Sequence, residues 1–285
     1  MSPIALALVL SSALFHATWN LLAKRAAGGV AFVWLFASLT ALLYAPAAAF
    51  FLLLERPSLG GGDLLFIAGS SALHLGYFLS LQRGYRLGDL SLVYPLARGS
   101  GPLLATLVAI IFLGEQPTAL ALTGTLVIVS SVFILASGPG AMSSGQRNAI
   151  LYGLSTGVFI AAYTVWDSYG VATLGIHPLL YSWLSEVIRT LLLGPSAWQR
   201  RREVAREWRC HRREALGVAL LSPLAYILVL TALVFTPISY VAPSREISIL
   251  IGTIMGAGLL FEGDVRRRLL AAGGMVVGVT LLVLG

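Results

Sequence analysis

The stretch VYPLARGSGPLLATLVAIIFLGE, residues 93–115, decides how the rest of the chain is read. Apart from Arg98 and the closing Glu115 it is uncharged, and as a helix rising 1.5 Å per residue it is long enough to cross a bilayer. Yet the nine residues from Tyr94 to Pro102 contain two prolines, two glycines and an arginine. Proline removes a backbone donor and clashes one turn back, so Pro95 and Pro102 free carbonyls beside Arg98. An arginine at that depth costs at least about 2.5–3.5 kcal/mol unless it faces protein or water. Irregular backbone survives there only where it is buried in protein or lines a cavity. The stretch therefore predicts a helix interrupted in mid-span at a polar pathway, with Pro95, Gly99 and Gly101 as hinge positions.

A second stretch, VAPSREISILIGTIMGAGLLFE at residues 241–262, echoes the first. Shifting the chain by 147 positions superposes Trp19 on Trp166, Arg98 on Arg245 and Glu115 on Glu262. Gly28 then falls on Gly175, Leu103 on Leu250 and Leu113 on Leu260, while Pro95 and Pro243 are one position out of register. Coincidence of rare residue types points to a duplication. The 285 residues are 58% hydrophobic and only 11% charged, against about 25% charged in a soluble domain. Ten apolar spans are expected, near 3–23, 30–54, 62–82, 89–113, 117–137, 148–168, 176–194, 215–235, 239–261 and 268–284. The expected fold is an all-α integral membrane protein of ten transmembrane helices, arranged as five-helix repeats over 1–140 and 148–285.

Five is odd, so the second repeat must enter the membrane inverted. The cations test this. Fifteen of nineteen Lys and Arg fall on one side: Lys24, Arg25, Arg83, Arg86, Arg147, the seven from Arg200 to Arg213, and Arg266 to Arg268. Only Arg56 falls on the other, and Arg98, Arg189 and Arg245 lie within spans. Equivalent loops of the two halves carry opposite charge loads, as an inverted repeat requires. The basic side, with the loop at 195–214, is expected to be cytoplasmic in the inner membrane, and both termini outside. The pI near 9.9 is thus topology and not a nucleic-acid surface.

Other chemistries find little purchase. Cys210 has no cysteine partner, and the four histidines form no HxxxH pair, so no metal site is expected. No GxxxxGK[ST] motif encodes nucleotide binding, and no cofactor is expected. The acids and histidines are too dispersed for an intramembrane enzyme, and a mere scaffold would not need Pro and Arg inside a span. The expected partners are the bilayer and a small molecule.

Polar and aromatic residues mark where that molecule would sit. Ser12, His16, Asn20 and Lys24 form an i+4 stripe with Trp19 beside it. In lipid such a stripe turns inward, as helix glue or cavity wall. His16, Trp19 and Asn20 are the cavity candidates, with Tyr163, Trp166 and Asp167 as their counterparts near the end of helix 6. His74 and Tyr77 share a face of helix 3, Tyr94 and Arg98 one of helix 4, and Tyr226 in helix 8 is expected to join them. Arg245 has Glu246 as a built-in neighbour, while Glu186 and Arg189 read as an intrahelical pair. Pro243 is the expected hinge of the second repeat.

FHATWNLLAKR in helix 1, VYPLARGSGPLLATLVAIIFLGE in helix 4 and the echo in helix 9 resemble the EamA-type branch of the drug/metabolite transporter superfamily, including the YddG-type amino-acid exporters. The resemblance implies two inverted five-helix units around a cavity lined mainly by helices 1, 3, 4, 6, 8 and 9. It also implies a secondary transporter working by alternating access. Amino acids, aromatic ones included, are the expected substrates, with drugs or other metabolites as the alternative.

Overall fold

The computed structural model describes residues 1–26, 29–57, 59–87, 90–136, 146–257 and 265–285. These residues are almost entirely helical, with no strand among them. The helices are α1 Pro3–Ala26, α2 Val30–Glu55, α3 Gly61–Leu87, α4 Leu90–Leu113, α5 Ala119–Ala136, α6 Gln146–Ser168, α7 Pro178–Gln199, α8 Arg201–Phe235, α9 Ile238–Ser244, α10 Ile247–Ala257 and α11 Val265–Leu284. A π-helical turn, Tyr169–Thr173, continues α6. A helix lies over each expected span, the ninth being divided into α9 and α10. Among the described residues, six segments are long and apolar enough to cross a membrane: Pro3–Ala23, Val30–Glu55, Gly61–Leu81, Leu96–Leu113, Arg147–Thr173 and Arg201–Phe235.

Size, not polarity, separates inside from outside. The interior holds alanines such as Ala97, Ala105, Ala109 and Ala121, while Phe50, Leu53, Leu65, Phe112 and Leu191 stand exposed. A soluble protein would reverse that order. In lipid, tails solvate Leu and Phe as well as a core does, so small residues go where helices must approach closely. Two glycines, Gly153 and Gly278, serve this. A Cβ on Gly153 would meet Leu96 Cβ at 3.0 Å, and one on Gly278 would meet the Gly124 carbonyl at 2.8 Å. These glycines seat α6 on α4 and α11 on α5.

The main helix contacts run between the first five helices and the rest. Helix α4 packs on α6, α1 on α8 and α10, α3 on α6, α5 on α11, and α2 on α7 and α8. Ser12 Oγ donates to the Ala225 carbonyl at 2.8 Å, so this member of the helix 1 stripe is glue between α1 and α8.

The expected interruption of helix 4 is not where its prolines are. Helix α4 is continuous from Leu90 to Leu113, and Gly99 and Gly101 are close-packing positions within it. A Cβ on Gly99 would meet Phe133 at 2.7 Å, and one on Gly101 would meet Ile160 at 2.6 Å. The break occurs instead at the equivalent place in the other half, where Arg245 and Glu246 separate α9 from α10. There the Glu246 N–H reaches Pro243 O at 3.0 Å and the Ser248 N–H reaches Arg245 O at 3.1 Å, three residues back and not four. Pro243 is the last residue but one of α9.

Gly114, at φ +69°, ends α4 in the left-handed region that glycine tolerates best. That turn aims Glu115 at the start of α9, where its carboxylate accepts the N–H groups of Ile238 at 2.7 Å and Ser239 at 2.9 Å. The carboxylate satisfies two orphan donors of a helix N-terminus. The Leu-Gly-Glu at the end of the opening stretch is thus a clamp onto the second half of the chain.

Helix α8, with 35 residues, is about 52 Å long, well over the roughly 30 Å of a bilayer core. The excess is its first third, the arginine-rich run read as a loop from sequence. It is helical up to and beyond a kink at His211, with Val204 packed inward and Trp208 and Cys210 exposed.

Candidate functional site

Where the sequence placed Asp167 at the end of its span, the π turn carries the helix onward through Thr173. In that turn the Leu174 N–H reaches Tyr169 O at 3.0 Å, five residues back. Such widened turns are frequent at functional sites. Asp167 is fully buried just before it. Burying a carboxylate is costly unless donors replace its water, and three converge here. Tyr181 of α7 donates to Oδ1 at 2.7 Å. Tyr226 of α8 donates to Oδ2 through a short contact. His74 of α3 brings Nε2 within 3.0 Å of Oδ2.

Aromatic rings hold the histidine. Its imidazole stacks on Tyr163 with centroids 4.1 Å apart, and meets Tyr226 edge-on at 5.3 Å. Tyr77, one turn from His74, meets the other side of the group through Tyr163 at 5.8 Å. Tyr163 lies one turn before Asp167 on α6, and Tyr77 three residues after His74 on α3, so helical spacing assembles the cluster from few elements.

The second constellation is ionic and joins the two parts of the chain. Arg98 Nε lies 3.1 Å from Glu246 Oε2, and its Nη2 donates to Ser248 Oγ at 3.4 Å. Both charged partners are buried. Glu246, the sequence neighbour of Arg245, is therefore paired with Arg98. Arg245 is half-buried, its guanidinium 6.0 Å from the centroid of the Tyr226 ring. Tyr226 thus stands between a cation on one side and Asp167 on the other.

The remaining sequence candidates divide. His16 lies within electrostatic range of Arg98 and Arg245 and meets Trp19 edge-on at 4.9 Å. Trp19 itself packs among Phe32, Leu35 and Val218, between α1, α2 and α8. Asn20 is exposed and donates to the His16 carbonyl of its own helix at 2.7 Å. Trp166 is apart from the cluster: it stacks on Phe66 at 4.2 Å and donates Nε1–H to the Phe66 carbonyl at 2.8 Å. It borders an open apolar cleft of about 470 Å³ with Leu104, Val108, Val158 and Tyr169. A second cleft, about 370 Å³, lies between α2, α3 and α6 beside Arg83 and Tyr152. The side chains of Tyr94 and Pro95 lie outside the described residues, as does Glu262. Glu186 and Arg189 form the expected pair at 2.7 Å.

One member of the Asp167 cluster escaped sequence reasoning: Tyr181 lies in helix 7, outside the helices expected to line the cavity. Asp167 was reached through the 147-residue shift, which places it on Asn20 in the polar stripe of helix 1.

A bundle of apolar helices enclosing charged and aromatic groups defines the class, an integral membrane protein. The comparisons narrow it. Residues 147–284, the second half of the chain, match the model of the EamA-like transporter family. Twenty-nine chains of solved structures also match. One, described as "Crystal structure of protein", covers 98% of both chains with a TM-score of 0.73 at 14% identity, a likeness of fold. No curated protein matches.

Proposed function

We propose that the protein is a secondary exporter of small metabolites, amino acids with aromatic side chains among them. It works by alternating access between two inverted five-helix halves, α1–α5 and α6–α11. The observation that carries this reading is the convergence of Arg98, Glu246, Arg245, Tyr226, His74 and Asp167 inside an otherwise apolar bundle. Charged groups at such depth mark a pathway more often than a structural pair. An aromatic wall with a few convergent polar groups suits a small amphipathic molecule, and Arg245, unmatched by the nearby Glu246, suits a carboxylate.

Packing supports the two-fold arrangement. Exchanging each helix for its counterpart turns the α4–α6 contact into α10–α1, α1–α8 into α6–α3, and α2–α8 into α7–α3, while α5–α11 and α2–α7 map onto themselves. The division of basic residues supports the inversion, with the arginine-rich start of α8 cytoplasmic and both termini outside.

Uptake of radiolabelled amino acids into proteoliposomes holding only this protein tests the function. Tryptophan, tyrosine and phenylalanine should accumulate above empty liposomes, and Arg245→Ala should lower the rate by about tenfold or more. Absence of uptake for the aromatic amino acids, or an unaltered Arg245→Ala rate, would reject the reading.

A further inference from the structure

We propose that His74, held by Asp167, is the proton-binding site through which transport is coupled to a proton gradient. The proposal rests on the transporter reading but on different atoms from those assigned to the substrate carboxylate.

The donor count fixes where the proton goes. Asp167 accepts the hydroxyls of Tyr181 and Tyr226, each of which has only one hydrogen. With both hydroxyls donating, Asp167 is a carboxylate, and we assign a hydrogen to His74 Nε2, which lies 3.0 Å from Oδ2 and 3.3 Å from the Tyr226 hydroxyl oxygen. The nitrogen left to titrate is Nδ1. An aqueous proton adds to its lone pair; the Nε2–H stays on Asp167, and the charge of the pair passes from minus one to zero. The reverse step returns that proton to water. No other atom changes bonding. The stack on Tyr163 supports the protonated state, because a ring face attracts an imidazolium. The arrangement also selects a proton over a metal ion, since the carboxylate lone pairs already face donors.

The neighbouring groups leave this pair as the variable charge. From α7, Tyr181 donates, and Glu186 is tied to Arg189. From α4 and the α9–α10 turn, Arg98 and Glu246 offset each other. Arg245 stays cationic above Tyr226, and His16 of α1 sits toward those arginines. On α3 and α6 the remaining titratable neighbours are Tyr77 and Tyr163. His74, its side chain 15% exposed, is within reach of water, while Asp167 is sealed. Histidine is the side chain whose charge changes in the physiological range.

Coupling follows from competition. With His74 neutral, the cluster is negative and attracts the ammonium of an amino acid whose carboxylate meets Arg245. With His74 protonated, that attraction is lost. Substrate and proton then exclude each other, and alternating access converts the exclusion into exchange of one for the other.

The test loads proteoliposomes with a pH-sensitive dye and an outward gradient of labelled tryptophan, and reads protons moved per tryptophan. The wild type should move one proton inward per tryptophan released, and His74→Gln should lower the ratio by about tenfold or more even if it is slow. Tryptophan movement without protons in the wild type, or an unaltered ratio in His74→Gln, would overturn the proposal. If no tryptophan moves, the substrate reading fails, and the proton site is judged without substrate. Deuterium exchange at the His74 ring carbon, followed from about pH 5 to 9, should give a sigmoid whose midpoint moves in Asp167→Asn and moves less in Tyr181→Phe. A flat profile, or a midpoint indifferent to both substitutions, would overturn the proton site itself.

Discussion

Arg98 illustrates why a buried ion pair is read by what happens when half of it is removed. Alone in a bundle of alanines and leucines the guanidinium would be untenable; beside Glu246 at 3.1 Å and Ser248 it is compensated. Removing one partner leaves the other buried and uncompensated, at a cost of about 3–5 kcal/mol, whereas replacing both by apolar residues can be nearly neutral. Thermal unfolding in detergent should therefore show Arg98→Ala strongly destabilised and the double variant Arg98→Met, Glu246→Leu close to the wild type. Additive losses in the double variant would contradict the pairing. Arg98 and Arg245 were legible in the sequence because charges are rare inside spans. Their partners were not: Glu246 adjoins Arg245 in the chain yet pairs with Arg98, a choice made by helix approach. Asp167 was misjudged for a similar reason, since the π turn that lengthens its helix leaves no mark in hydrophobic periodicity.

At the scale of elements, the apolar helices were legible because lipid imposes apolar length, and loops punctuate it with glycine, proline and charge, although α7 and α8 extend into the 195–214 run read as a loop. The bends were not. Pro95 and Pro243 occupy nearly equivalent positions, yet α4 is continuous and the other helix breaks at Arg245 and Glu246. A proline permits a bend, and packing decides whether it is taken. We expect Pro243→Ala to straighten the α9–α10 junction and bias access toward one side, with Pro95→Ala acting toward the other; accessibility of cysteines placed in each vestibule reads both. Shifts in the same direction would exclude paired hinges.

The start of α7 carries a pH-dependent cap. His177 Nδ1 accepts the Leu179 N–H at 3.3 Å, and its ring stacks on Phe51 at 4.0 Å. Burial lowers its pKa from the usual value, against a smaller opposing pull from Glu55. A histidine depressed in the folded state contributes fully above the unfolded pKa, near about 6.5. That contribution is lost as pH falls through the folded value. Amide exchange at Leu179 to Tyr181, taken relative to the intrinsic rate at each pH, should rise on acidification below that range, and much less in His177→Asn, whose cap does not titrate. Equal rises in both would remove His177 as the cause.

Across the whole molecule, the halves are joined by residues that each half supplies to the other. Glu115 clamps the start of α9, Arg98 meets Glu246 at the α9–α10 junction, and Gly124 faces Gly278 across α5 and α11. The expected duplication rests in part on Trp19 and Trp166, and these tryptophans pack in different surroundings, one among α1, α2 and α8 and the other against Phe66. A repeated residue preserves register, while its neighbours follow the local packing. The account depends most on the inversion of the halves, because alternating access between them requires it. Cys210 lies in the exposed arginine-rich run of α8, and its counterpart under the 147-residue shift is Asp63, beside the exposed and open position Gly61. The most direct measurement is labelling of intact cells with an impermeant thiol reagent, comparing the native Cys210 with Gly61→Cys in a Cys210→Ser background. The account predicts that Gly61→Cys is labelled from outside and that Cys210 is labelled only after the membrane is permeabilised. Labelling of both from the same side would contradict it.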